Sequence, residues 1–269
     1  MNILTEKMND TLTAILIVVI IIVVLNRRFI TGGFRVGRIN RQKQHLLLEK
    51  YFDYYKHLSP ADKEEFIKRV NVFTRSKRII GRQGFVANIE VKTFIAASAT
   101  QLTFGLKDYL LSRFRTILVY KDKYFNKLTN QYHHGEVNAA GIIVLSWKNF
   151  TKGYSTKKDK INLGLHELAH AFFLTVIKTD DHDQGLDAYM KNILSEANDE
   201  LEKIRNGTIH LFREYAGTNL YEFFAVATEH FFESPGNFKR ELPTLYNYFT
   251  KLLNQDPARN ISRLNNYDL

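Results

Sequence analysis

The chain of 269 residues contains no cysteine. It can therefore build neither a disulfide framework nor a cysteine-type zinc site, and histidine and carboxylate remain as its strong ligands for a transition metal. Internal repeats and low-complexity tracts are also missing. With 45% apolar residues, a chain of this length has material for one main domain with appendages. Acid is scarce relative to base: 28 acidic residues face 38 basic ones, a formal charge of +10. Such an excess favours nucleic acid or an anionic membrane surface. Here its placement decides. Arg27, Arg28, Arg35, Arg38, Arg41 and Lys43 crowd in directly after the most hydrophobic part of the chain, and no recognised nucleic-acid motif is present, so a lipid surface is expected and nucleic acid is not.

That hydrophobic part, Thr11 to Leu25, carries no charge. At ~1.5 Å per residue it spans roughly 23 Å, which reaches across a ~30 Å hydrocarbon core if flanking residues snorkel or the bilayer thins. A secretory signal needs a basic n-region and a small-residue cleavage site, whereas this leader holds Glu6, Lys7 and Asp10 and the exit reads NRRF. The expectation is an uncleaved transmembrane anchor over residues 11–26, inserted in the lipid bilayer. Basic residues all follow the span, which puts residues 1–10 outside and the bulk of the chain in the cytoplasm. Residues 27–42 read as a basic, glycine-bearing linker, and residues 43–269 as one domain.

Within that domain, Leu47, Leu48, Tyr51, Phe52 and Tyr55 recur at helical spacing, and Ser59 with Pro60 signals the start of a second helix. NIEVKT (88–93) alternates like a strand, and residues 94–114 have the spacing of a buried helix. Thr116–Tyr120 and Gly141–Trp147 are β-branched runs and read as strands. Further segments of helical period start near Asp159, Gly185, Asn219 and Leu242. Helices outnumber strands, and the strands cluster before residue 150. The fold class expected is α+β, mainly helical, with a small mixed or antiparallel sheet.

LHELAH (165–170) carries the chemistry. Residues four apart on a helix share a face, so His166 and His170 can direct both imidazoles at one ion, while Glu167 projects beside them and can reach a water. The bland alternative is a helix whose histidines are satisfied by core hydrogen bonds, since composition alone yields the pattern in roughly two such chains per hundred. Context argues against it: Leu163, Leu165, Leu168, Ala169 and Phe172 surround the pair with apolar side chains, where unpaired imidazoles are costly and a metal satisfies both. Asn162, one turn earlier, is placed to orient a ligand from outside. A third ligand is required. An H-E-x-x-H-x-x-G-x-x-H enzyme would have Gly at 173 and His at 176, but this chain has Phe173 and Val176. Glu222 and Glu229, seven residues apart on a later helix, are the alternatives, one as ligand and the other supporting it. Asn219-x-x-Glu222 also reads as a capping box. His182 and His230 are weaker candidates, and His133 and His134 are expected in an exposed loop.

AASATQLTFGL, GEV with GIIVLSW, DKINLGLHELAH and EYAGTNLYEFFAVATEHFFESP, in this order over about residues 45–250, resemble the Mlc titration factor A family of zinc peptidases. That family is similar in its catalytic core to the metalloprotease domain of anthrax lethal factor. The resemblance implies a zincin-like fold, one Zn2+ per chain held by His166, His170 and Glu222, and Glu167 as general base. It also makes Tyr215 the active-site tyrosine and implies a peptide or protein substrate with aminopeptidase-like action. Residues 1–40 fall outside the resemblance, so the expected location, the bacterial inner (cytoplasmic) membrane, rests on the hydrophobic run and the basic residues after it alone. The family is named for binding a transcriptional repressor, so capture of such a regulator is the alternative function. Val226 stands where many thermolysin-like enzymes have aspartate, which leaves Glu229 as the candidate supporting carboxylate. Gly141–Trp147 is the candidate substrate-binding edge strand, with a plain core strand as the equal alternative.

Overall fold

A computed structural model describes residues 41–127, 129–155, 161–178, 184–205, 211–260 and 262–264. The expected anchor and nearly all of the linker lie outside these residues. Among the described residues no helix is long and apolar enough to cross a membrane. The chain divides into two compact units, residues 1–46 and 47–269. Of the first only 41–46 are described, and they are helical.

The second unit begins with helical residues 47–51. Then follow α1 (Asp53–Lys56), α2 (Pro60–Ser76), β1 (Arg78–Gly81), α3 (Ile89–Thr103), β2 (Thr116–Tyr120), β3 (Tyr124–Asn126), β4 (Gln131–His133), β5 (Gly135–Asn138) and β6 (Ile142–Ser146). The remainder is helical: α4 (Trp147–Ser155), α5 (Leu163–Lys178), α6 (Gln184–Arg205), a 3-10 turn (Glu214–Gly217), α7 (Leu220–Glu233), α8 (Pro235–Glu241) and α9 (Pro243–Leu253). This is the expected mainly helical α+β class with a small sheet, and the sheet is mixed. Its order is β1-β2-β6-β5, with β1, β2 and β6 parallel and β5 antiparallel on β6. β3 and β4 form a separate hairpin.

Ile117, Val119, Ile143 and Leu145 are buried from the central strands, and α3 lies among them buried on nearly every side. α2 starts as its sequence signals, with the Ser59 hydroxyl accepting the Asp62 N–H at 3.1 Å. Residues 88–93 correct the strand expected there. Asn88 caps a helix, its side chain accepting from the Val91 N–H at 3.0 Å, and the alternation of NIEVKT is the first turn of α3 seen edge-on. The helix expected to run to residue 114 stops at Thr103. Arg69, buried beneath, donates to the carbonyls of Phe104 and Leu106 at 2.9 Å each, supplying the donors that a continued helix would have provided. Gly105 belongs to this exit, since a Cβ there would lie 2.3 Å from the carbonyl oxygens of Leu253 and Asn254.

The sheet order also corrects the strand expected to meet substrate. β6 is interior, paired on both sides, and the outer strand on that side is β5. Ser146 N–H donates to the His134 carbonyl at 2.8 Å across this pair. Hydrogen-bonded and open pairs alternate in an antiparallel ladder, so residues 134, 136 and 138 turn their main-chain groups toward β6, and Gly135 and Val137 turn theirs toward the open edge.

Candidate metal centre

α5 starts at Leu163, not near Asp159, which lies outside the described residues. Asn162 is its cap: the side-chain oxygen accepts the Leu165 N–H at 3.1 Å, and the backbone carbonyl accepts the His166 N–H at 2.9 Å. One turn later His166 and His170 stand on the same face, edge to face, with ring centroids 4.6 Å apart. α7 crosses this face. Asn219 caps it by accepting the Glu222 N–H at 2.9 Å, so capping explains Asn219, while the Glu222 carboxylate turns to the imidazoles.

Three atoms then converge. His166 Nε2 and His170 Nε2 are 3.1 Å apart, and Glu222 Oε2 lies 3.2 Å from the first and 3.4 Å from the second. Ligand atoms ~2.05 Å from a tetrahedral ion are ~3.3 Å from one another, so the triangle has the dimensions of one face of such a site. Glu222 Oε2 is buried yet makes no hydrogen bond of good geometry among the described residues, nor does His170 Nδ1. An acceptor held in that way against two imidazole nitrogens fits a shared cation. The donor set therefore suits a divalent metal.

Outside the triangle, Glu229 is fully buried and holds His166 from behind, with Oε1 2.7 Å from Nδ1. Its other oxygen accepts the Asn162 N–H at 2.7 Å, and the Arg213 guanidinium pairs with Oε1. The Asn162 side chain also donates to Glu233 at 2.9 Å. Seven residues after Glu222, Glu229 is two turns further along α7, which lets it reach the far side of the same ring. Val226, one turn after Glu222, is instead in the apolar core. His170 is fixed by stacking on Tyr221, with centroids 3.7 Å apart and planes 12° from parallel.

Among the protein's own charges, burial pushes Glu222 up, but close contacts with His166 and His170 outweigh it and hold the carboxyl well below the usual range. Burial opposes charge on His166 as well. Glu222 and Glu229 overcome it and raise the imidazole to about 9, so a cation here competes with a proton. Burial depresses His170. Glu167 is raised to about 8, first by burial and then by Glu222, Glu229 and Glu136, against the pull of His166. Such a carboxyl exchanges a proton readily near neutral pH.

His166 and Glu167 face an open cleft of about 370 Å3, lined also by Tyr132, His133, His134, Gly135, Ile161 and Arg213. His134 is exposed in the bend between β4 and β5, as expected, whereas His133 is half-buried at the end of β4, and both line the cleft wall. β5 passes directly over Glu167, where a Cβ on Gly135 would stand 2.2 Å from Glu167 Oε1. A second cavity, of about 260 Å3, lies between Tyr54, Tyr154, Phe232 and Pro257 and contains none of these groups. His230 packs its ring on Phe212, away from the triangle. Tyr215 has its backbone in the 3-10 turn before α7, but its side chain lies outside the described part, as does His182. Arg213 and Gly135 were not legible from sequence as site residues. Arg213 stands just before the EYAG motif and Gly135 opens the GEV motif, but neither motif marks a site residue at these positions, and each joins the site through contacts across more than a dozen residues of chain.

An α+β domain with a helix-borne histidine pair, closed by a carboxylate from a second helix under an open sheet edge, is of the metallopeptidase type. The profile of the glucose-regulated metallo-peptidase M90 family matches residues 35–253, and the chain belongs to that family. It is 26% identical over 235 residues to Mlc titration factor A of Serratia proteamaculans, covering 77% of this chain and 86% of that one. Its identity to Mlc titration factor A of an Escherichia coli O7:K1 strain is 24% over 234 residues, 78% and 86% of the two chains. A Synechocystis protein described only as uncharacterised is 27% identical over 224 residues, covering 77% and 82%. The resemblance carried by the sequence motifs is thus membership of the Mlc titration factor A group.

Proposed function

We propose that the chain is a zinc-dependent peptidase tethered to the cytoplasmic membrane by residues 11–26, with its catalytic domain in the cytoplasm. One observation carries the peptidase reading: three ligand atoms 3.1–3.4 Å apart lie beside a buried glutamate, under a strand whose outer edge is unpaired among the described residues. His166, His170 and Glu222 hold the ion, and two imidazoles with one carboxylate suit zinc. Zinc held by these residues would supply Lewis acidity toward a peptide carbonyl and a water.

The chain's own residues do the rest. Gly135 and Val137 offer main-chain N–H and C=O groups on which a peptide lies antiparallel, extending the sheet by one strand and bringing one of its carbonyls over the triangle. The Glu167 carboxylate takes a proton from the attacking water and passes it to the departing amide nitrogen. One water is consumed per bond, leaving a carboxylic acid and an amine. Tyr215, on the family pattern, donates its hydroxyl to the oxyanion, a contact whose removal costs ~3 kcal/mol in the barrier. Glu229, gripped by Arg213 and Asn162, keeps His166 in the tautomer whose Nε2 faces the metal.

The tether rests on the uncharged run at 11–25 and the basic residues after it, and fractionation of the full chain against residues 41–269 checks it. The relatives' name supports a second reading, in which the domain chiefly captures a transcriptional regulator and cleaves little. His166→Ala and Glu167→Gln separate the two. A peptidase loses turnover in both variants while Glu167→Gln keeps its zinc. A capture module shows no turnover in the parent, and Glu167→Gln still binds its partner.

A further inference from the structure

The hairpin β3–β4 stands at the cleft mouth and has two unlike faces. On one, the Tyr124 hydroxyl and the Asn126 amide both donate to Glu136 of β5, at 2.8 and 2.7 Å, and Tyr124 stacks on Tyr120 with centroids 4.9 Å apart. This face anchors the hairpin to the strand that would carry substrate. On the other, Phe125 and Tyr132 are directly opposed across the hairpin, with rings 5.3 Å apart. They are 45% and 62% exposed, among the most open large apolar side chains described, and Tyr132 also lines the cleft with His166 and Glu167. The Lys123 ammonium lies 4.8 Å from the Tyr132 ring and helps to fix it. An aromatic pair has few rotatable bonds, and on an anchored hairpin it loses little entropy when it receives a partner.

Direction follows from the sheet. β4 leads through His134 into β5, so the hairpin lies beyond the amino-terminal end of β5, past Gly135. A peptide antiparallel to β5 runs the other way. Its residues before the scissile bond lie along Val137, and those after it leave past Gly135 toward Tyr132. We propose that Phe125 and Tyr132 form the specificity subsite for a large apolar or aromatic side chain, one or two residues to the carboxyl side of the cleaved bond. This deepens the peptidase reading and rests on it.

The test is cleavage-site profiling of the zinc-loaded full chain on a defined library of synthetic peptides, with products read by mass spectrometry. Parent, Tyr132→Phe and the double variant Phe125→Ser/Tyr132→Ser are compared. The parent should favour Phe, Tyr, Leu or Met over Gly or Ala at those two positions by about tenfold in kcat/KM. Tyr132→Phe should keep that preference. The double variant should lose it, mainly through a higher KM for the peptides with Phe, Tyr, Leu or Met at those positions. An unchanged zinc content and helical circular dichroism would show that the metal centre and the helical fold survive the substitutions. Cleavage without such a preference, a preference that survives in the double variant, or one confined to the amino side of the bond overturns the subsite and leaves the peptidase reading standing. Absence of any zinc-dependent cleavage by the parent overturns both.

Discussion

Replacing Gly135 by alanine isolates the role of Glu167 without touching the metal ligands or Glu167 itself. The new Cβ would lie 2.2 Å from Glu167 Oε1, 2.5 Å from its Cδ and 2.6 Å from its Cγ. Ordinary contact needs ~3.5 Å, so the carboxylate must retreat by roughly 1 Å. Only the end of a flexible side chain is in the way, and the backbone of β5 keeps its pairing with β6. A misplacement of about 1 Å in a reacting group costs about 100-fold in rate, or ~2.7 kcal/mol in the barrier. Alanine, meanwhile, is about 0.5–1 kcal/mol better than glycine in a strand. Gly135→Ala should therefore lower kcat by about two orders of magnitude while zinc content stays at the parent's level and the melting temperature holds or rises slightly. Peptide turnover, metal analysis and thermal melting on one preparation read all three. Turnover within about threefold of the parent would refute the placement of Glu167 as the working base, and loss of zinc would show that the strand supports the ligands instead.

Two further outcomes follow from the same structure. Arg213→Met removes the guanidinium from Glu229 but leaves the contacts of Glu229 with His166 and Asn162. Glu229, one step outside the ligands, is in the class of groups that contribute about 10–100-fold to affinity, and Arg213 acts through it, so competition with a chelator of known strength should show zinc held more weakly by up to about tenfold, and equal affinity would contradict the account. Lys77 donates to the Leu111 carbonyl at 2.9 Å and is pulled from 10.5 down to about 8, chiefly by burial and then by Arg115, against Asp108. Its folded pKa lies below its unfolded one, so the charged form costs stability below pH 8, and that cost is relieved as pH rises from 8 toward 10.5. In urea melts the parent should gain about 2 kcal/mol relative to Lys77→Met between about pH 7.5 and 9.5, and a constant difference would refute the burial of that charge.

How much was legible in the sequence tracks how local the information is. The cap at Ser59, the strands at Thr116–Tyr120 and Ile142–Ser146, and the helix bearing His166 and His170 are each set by neighbours within one turn or one strand. Residues 88–93 misled because a short alternation of apolar and polar side chains fits the first turn of a capped helix as well as a strand. The start of α5 was misplaced by one turn because both Asp159 and Asn162 are competent caps, and the contacts of Asn162 with Glu229 and Glu233 lie 67 and 71 residues away. The same limit governed the glutamates. Glu222 and Glu229 share a face of α7, and only the crossing of that helix over α5 turns one to the two Nε2 atoms and the other to a single Nδ1. Which strand lies at the sheet edge is likewise a property of pairing, so the run at 142–146 gave its own conformation but not its interior place.

Crystals of the zinc-loaded chain, measured on both sides of the zinc absorption edge, test the central claim most directly. The account predicts one anomalous peak per chain, within bonding distance of His166 Nε2, His170 Nε2 and the Glu222 carboxylate, with Glu229 on the far side of the His166 ring. A peak bound by Glu229 in place of Glu222, or none at this triangle in fully loaded crystals, would contradict it.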